Sequence, residues 1–230
     1  MLEELKQRVC EANRKLVEEG LVVQTFGNAS GVDRDGGHVV IKPSGVAYDE
    51  LTAGRMVVVS LEDGGVVEGE LRPSSDTPTH RVLYRRLEGI GGIVHTHSLY
   101  ATAWAQARRE IPPFGTTHAD YFYGTVPCTR VMTDEEIAGD YEANTGKVIA
   151  ERFADLDPSS LPGVLVASHG PFAWGPSVEE AVRNAAVLEH LARLASATVA
   201  IDPYPRIVSL KLLEKHYLRK HGDGAYYGQK

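Results

Sequence analysis

"GGIVHTHS", residues 91–98, sets two histidines one residue apart behind an apolar, β-branched run. The apolar part is too short for a helix and rich in strand formers, so residues 91–95 read as a buried strand. Alternate side chains of a strand share a face, which sends His95 and His97 to one side with Cβ atoms ~7 Å apart. That separation suits two imidazoles converging on one ion at N–metal distances of ~2.0–2.1 Å. It equally suits two ring donors satisfied in a core or at the surface. A metal reading needs a third ligand.

The segments flanking this strand have helical periodicity. Upstream, "PSSDTPTHRVLYRRLEG" (73–89) offers Ser or Asp as N-cap and places Val82, Leu83 and Leu87 on one face, and residues 98–108 read as a helix downstream. Residues 2–19 form an amphipathic helix stopped by Gly20. Four β-rich runs follow, "LVVQTF" (21–26), "HVVIKP" (38–43), "MVVVSL" (56–61) and "GVVEGE" (65–70), parted by Gly, Asp and Asn clusters in the manner of an antiparallel meander. Strands are expected at 125–129, 163–168 and 170–175, and helices at 134–153, 177–197 and 207–221. Ser177 with Glu180 makes a capping box for the long helix 177–197. Helices interspersed with hairpins, without regular βαβ alternation, predict an α/β or α+β layer fold: a mostly antiparallel sheet covered by helices. No linker or repeat divides the chain, so residues 1–230 read as one domain.

The bulk properties exclude several functions. A hydrophobic fraction of 43% and a charged fraction of 24% are those of a globular protein rather than a disordered one. The formal charge of −7 argues against a nucleic-acid or anionic-membrane surface, yet leaves room for a small phosphorylated ligand held by one lysine and backbone amides. Cys10 and Cys128 stand alone, outside any paired spacing, so a disulfide framework is not expected. No stretch approaches the ~18 apolar residues of a membrane span, and the charged start is not a secretory signal. The cytoplasm is the expected location.

His169, in "VLVASHGPF" (164–172), also sits at the mouth of an apolar strand. If the two strands are neighbours, three imidazoles meet at one sheet edge, and three histidines with an open fourth position are a catalytic zinc pattern. Alone, His169 is a loop histidine with a backbone partner. His38, His80 and His190 read as ordinary face residues, and spacing assigns no chemistry to His118, His216 or His221. "TFGNASGVD" (25–33), "KPSG" (42–45) and "RPSSD" (72–76) each combine glycine or hydroxyls with a polar or cationic neighbour. Any one is equally a turn; three in one 76-residue half make a phosphate cradle of backbone amides. Asp76 suits a helix cap, a metal ligand or an acid/base group. Asp120, in the aromatic "HADYFYG" (118–124), is expected to be partly desolvated, with a raised pKa suited to proton transfer, or else to form an Asx-turn. Tyr226 and Tyr227 lie in a tail that either docks or reaches a partner subunit.

Taken together, "TFGNASG", "KPSG", "PSSD", "HTHS", "THADYF" (117–122), "SHGPFAWG" (168–175) and "KHYLRKHG…AYYGQ" (215–229) resemble the class II aldolase/adducin family over nearly the whole chain. The histidine set is common to the family; the aspartate of "SSD", "HADYF" and "YYGQ" resemble its L-ribulose-5-phosphate 4-epimerase branch. The resemblance implies a three-layer α/β fold with a central, mainly antiparallel sheet, and a cyclic homotetramer with active sites between subunits. It implies zinc, or another divalent ion such as manganese or cobalt, held by His95, His97 and His169 with Asp76 in or near the coordination sphere. Substrate phosphate contacts fall on Gly27, Asn28, Lys42, Ser44, Gly45, Ser74 and Ser75, and acid/base roles on Asp120 and Tyr227 at a subunit interface. Arg219 matches a further family position. The implied reaction inverts C4 of a ketopentose phosphate by breaking and re-forming C3–C4. The rival is a fuculose-phosphate-type aldolase, which resembles this chain at the histidines but has glutamate where Asp76 stands. A non-catalytic adducin-like module, which keeps no metal site, is the alternative from another class.

Overall fold

The valines of adjacent strands divide, residue by residue, between two hydrophobic cores. In the computed structural model, which describes residues 2–227, seven strands form one sheet, antiparallel at every pairing. They are β1 (Asn28–Asp33), β2 (His38–Ile41), β3 (Val57–Ser60), β4 (Val66–Glu68), β5 (Gly92–His95), β6 (Gly163–Leu165) and β7 (Pro171–Gly175), in the spatial order β4-β3-β2-β1-β5-β7-β6. The helices are α1 (Leu2–Glu18), α2 (Thr77–Arg86), α3 (Leu99–Gln106), α4 (Thr116–Ala119), α5 (Asp134–Ala138), α6 (Tyr141–Arg152), α7 (Val178–Ile201) and α8 (Leu210–His221).

Successive strand residues point to opposite faces. Val39, Val57, Val59, Ile93, Phe172 and Trp174 therefore meet Leu83 and Tyr84 of α2, Ala101 of α3, Ile149 of α6 and the second half of α7. Their neighbours Val40, Val58, Val94 and Ala173 meet Val9 and Leu16 of α1 and Val178 and Val182 from the first half of α7. Both faces are covered, which gives the three layers and explains why these strands read as continuous apolar runs. Each fully buried Val or Leu contributes ~1.5–3 kcal/mol relative to exposure.

β1 departs from the expected meander. The run 21–26 contains no strand: Gln24 has φ 54°, and Val23 and Phe26 are exposed. The strand starts instead at Asn28 and is largely polar or small. Its partners explain this: Asn13 of α1 donates to Ala29 O and accepts from Ala29 N, and Gly31 leaves room for Leu5. Other boundaries move as well. The helix expected over 134–153 breaks at Gly139–Asp140 into α5 and α6; 125–129 keeps only isolated bridges at Val126 and Cys128; and the last helix starts at Leu210, where Ser209 accepts from Leu212 N. α7 runs beyond 197 to Ile201, and Ser177 caps it through Glu180 N as expected.

Candidate active site

Register sets the centre of the site. Asn28 of β1 pairs with His95 of β5, and His95 with Phe172 of β7, so one row crosses three strands. The His95 ring stacks on Phe172 at 4.1 Å, and its Nδ1 donates to Pro171 O at 2.9 Å. A carbonyl only accepts, so the proton is on Nδ1 and Nε2 is free. That nitrogen lies 3.1 Å from Nε2 of His97. His169 arrives from a tight turn after β6, in which Ser168 has φ 64° and His169 N donates to Val166 O. Its ring lies edge-on to His95 and His97, at centroid distances of 4.8 and 5.1 Å. One ligand atom from each histidine falls within 4.8 Å of the others. Nitrogens ~3.3 Å apart form the edge of a tetrahedron around an ion at ~2.0–2.1 Å, so the 3.1 Å pair suits a shared cation. Burial, then the charges of His95 and His97, pushes His169 down to about 4; burial also lowers His97. Both are thus neutral at pH 7, the form that ligates.

The three loops with phosphate character converge on the same place. A cavity of about 320 Å³ is lined by Gly27, Asn28, Lys42, Ser44, Gly45, Ser74, Ser75 and Asp76 together with the three histidines. Backbone bonds from Ser44 N to Arg72 O and from Ser74 N to Lys42 O tie the second loop to the third. Gly27 closes the first loop against β5: it has φ +90°, and a Cβ there would meet His95 O at 2.8 Å. Lys42 is 2% exposed, with Nζ 3.3 Å from Pro43 O and over the Tyr48 ring, and burial lowers its pKa. A buried cation with one long hydrogen bond is a ready acceptor of an anion.

Asp76 occupies the N-cap position of α2 but does not cap it. Its Oδ2 accepts from Asn28 Nδ2 at 2.6 Å instead. Burial pushes the carboxyl up, but the charges of His95 and His80 and the Asn28 bond more than offset this, and it is held below the ordinary range. Asp76 stands outside the 4.8 Å ligand group while lining the same cavity. Behind it His80 is fully buried, its Nδ1 2.7 Å from Ser30 Oγ, which in turn lies 2.8 Å from Tyr84 OH. Among the described residues, Asn28 Oδ1 and His80 Nε2 are buried without a hydrogen-bond partner.

The profile of the Class II Aldolase and Adducin N-terminal domain matches residues 7–196. The chain belongs to that family. Solved structures agree. An L-fuculose 1-phosphate aldolase is similar at 27% identity and a TM-score of 0.77, with 92% of this chain and 95% of that one covered. YgbL of Klebsiella pneumoniae is similar at 28% identity and 0.74, covering 94% and 98%, and the L-fuculose-1-phosphate aldolase of Thermus thermophilus at 25% and 0.69, covering 89% and 100%. The class II aldolase fold is thus the fold of this chain. Among the described residues no helix is long and apolar enough to cross a membrane.

In this class II aldolase/adducin chain, Asp120 and Tyr227 lie apart from the cavity. Asp120 ends α4, where Arg219 donates to its carboxylate at 2.9 Å and His216 lies at 3.1 Å, with Lys220 at 3.6 Å. Burial pushes this carboxyl up, but the Arg219 and His216 hydrogen bonds and the Lys220 charge prevail and hold it below its ordinary value. The expected upward shift is therefore reversed: the α8 cations, distant in sequence, outweigh desolvation. Tyr227 is 58% exposed, with Arg219 stacked 4.6 Å from its ring, so Arg219 bridges the two acid/base candidates. Gly228 and Gln229 of the terminal motif lie outside the described residues. A larger groove of about 960 Å³ between α1 and α7 has Arg8 paired with Glu179 and Lys15 with Glu18 on its walls; Thr117 and Tyr121 of "THADYF" border it, but none of the three histidines or of the phosphate-type loops does. Sequence reasoning missed Tyr141, whose hydroxyl lies 3.4 Å from His169 Nδ1, and Phe26, beside His97. Tyr141 belongs to no recognisable motif, whereas Phe26 stands inside "TFGNASG" as a residue to which its type assigns no chemistry.

Proposed function

We propose that the chain, acting as one domain, is a metal-dependent epimerase that interconverts L-ribulose 5-phosphate and D-xylulose 5-phosphate. What supports a phosphorylated, metal-chelated substrate is the single cavity shared by His95, His97, His169 and the loops of Lys42, Ser44, Gly45, Ser74 and Ser75. The observation that carries epimerisation over cleavage is Asp76: the carboxylate in this cavity is the short one, tied to Asn28, and no glutamate lines the cavity among the described residues. Zinc held by the three histidines, with Asp76 in or beside its coordination sphere, fits the donor set, as do manganese and cobalt. When bound there, the ion would supply Lewis-acid stabilisation for the negative charge that develops on the C2–C3 fragment.

The remaining work falls to the chain. The C4 hydrogen is not acidic, so inversion proceeds through the C4 hydroxyl. That hydroxyl loses its proton, C4 becomes an aldehyde carbon, and the C3–C4 electron pair passes to the C2–C3 fragment. The phosphate on C5 stays held by Lys42, Gly27, Asn28 and the serine and glycine amides, so the aldehyde rotates without leaving. The electron pair then attacks its other face, and the new C4 alkoxide takes a proton. Two acid/base groups are required, one for each face. Asp120 and Tyr227 fill these roles across a subunit boundary in a homotetramer. Their separation from the cavity supports this, as do the exposed Leu210, Leu212 and Leu218 on α8.

The fuculose-phosphate aldolase reading has its own support in the two similar structures of that name. A coupled assay separates the readings. We expect xylulose 5-phosphate from L-ribulose 5-phosphate, with turnover abolished by chelator and restored by zinc. Faster release of dihydroxyacetone phosphate from fuculose 1-phosphate refutes the epimerase assignment.

A further inference from the structure

We infer that Tyr141 is a positioning residue for His169: its hydroxyl accepts the Nδ1–H of that imidazole and so turns Nε2 toward His95 and His97. The inference rests on the metal reading of the cavity. A neutral imidazole has two tautomers, and only the nitrogen without the proton ligates. His95 is committed to one tautomer by Pro171 O, a backbone acceptor. His169 has no such carbonyl. Among the described residues, the hydrogen-bond partner of its ring is the Tyr141 hydroxyl, at 3.4 Å, with the two rings 6.1 Å apart and tilted by 34°.

The placement of Tyr141 is built rather than incidental. It is the first residue of α6, immediately after the Gly139–Asp140 break that the sequence periodicity ran through. Its own amide donates to Gly139 O, and Thr145 Oγ1 donates to its carbonyl at 3.0 Å. The preceding α5 is fixed by a capping box between Thr133 and Glu136 and by Asn144 Nδ2 donating to Glu136 O. Arg130 grips Glu136 through two hydrogen bonds of 2.7 and 2.8 Å and reaches Glu151 of α6 at 2.8 Å. Arg130 thus ties α5 to the last turn of α6, and its neighbour Thr129 accepts from Ala167 N of the turn that carries His169 at 3.0 Å. A continuous helix through 139–140 would lack the change of direction that presents the phenol there.

Outer partners that fix a ligating histidine typically change metal affinity by 10–100-fold. The test compares the full chain with Tyr141→Phe, which removes one oxygen and keeps the ring. Competition with a chromophoric chelator is expected to give zinc binding about 10-fold weaker in the variant. Ring 15N spectra of the metal-free proteins are expected to put the His169 proton on Nδ1 in the parent and over both nitrogens in the variant. Thermal unfolding of the metal-free forms identifies any general loss of fold. Parental zinc affinity in Tyr141→Phe, or an unchanged His169 tautomer, overturns the inference while leaving the metal site intact. A parent chain that binds no zinc overturns the metal reading and the inference with it.

Discussion

At the residue scale, the proposed function divides the labour between groups in the cavity that hold and groups outside it that move protons, and substitutions separate the two. His97→Asn removes an imidazole from a three-histidine set, so bound metal and turnover are expected to fall together. Tyr227→Phe leaves the cavity untouched and should reduce turnover with metal content kept, as read by metal analysis beside a kinetic assay; equal metal loss in both variants contradicts the division. Gly27 tests the backbone. An alanine there meets both an unfavourable φ of +90° and the His95 carbonyl at 2.8 Å, whereas Gly45, at φ +71°, has open space around it. Left-handed backbone costs an L-residue ~1–2 kcal/mol. Gly45→Ala should lower urea-unfolding stability by about that much, and Gly27→Ala by clearly more, with weakened zinc binding because the clash falls on β5. Equal losses would show that the close approach to His95 is not tight.

At the element scale, legibility in the sequence tracked how local the determining contacts are. β2, β3 and β5 were readable because Val39–Val40, Val57–Val59 and Ile93–Val94 fill both cores and need no particular partner. β1 was not, because its inward Asn28 and Ser30 are satisfied by Asp76, His80 and Tyr84 of a segment some fifty residues away. The α5–α6 break was invisible for a similar reason: the Arg130 clamp comes from outside the helix. The same polar burial has a pH consequence. Burial pushes His80 on α2 down to about 3 and His118 on α4 down to about 4, the latter despite its 2.6 Å bond to Gly124 O. Unfolded histidines titrate near 6.5. From pH ~6.5 down toward ~4 the unfolded chain takes up protons that the folded chain refuses, so stability falls as pH falls, by up to about 1.4 kcal/mol per unit for each histidine. Urea unfolding of chelator-treated protein from pH 7 to 5 should show this slope, and His118→Gln should flatten it by up to one histidine's worth. An unaltered slope would remove His118 as a contributor.

At the scale of the whole molecule, two half-sites sit on different parts of one chain. The three histidines and the loops proposed to hold phosphate share one cavity within the sheet and its loops, whereas Asp120, Arg219 and Tyr227 form a second cluster on α4, α8 and the tail. α8 buries only Leu213 among its described residues and leaves Leu210, Leu212 and Leu218 exposed, an arrangement a second copy of the chain would cover. If each working site takes its histidines from one subunit and its tyrosine from the next, two inactive variants repair each other. In a co-expressed equal mixture of His97→Asn and Tyr227→Phe chains, a site works when its histidines come from the second kind and its tyrosine from the first. Random assembly makes this true for about one site in four, so about a quarter of parental activity is expected from purified mixed oligomers, against almost none from either variant alone. The recovered activity should track oligomer formation on dilution, because subunit separation breaks every site at once. Mixed oligomers without recovered activity would place the histidine and tyrosine functions within a single chain. They would then require α8 and the tail to swing toward their own cavity, a movement that must first break the Arg219 pair with Asp120.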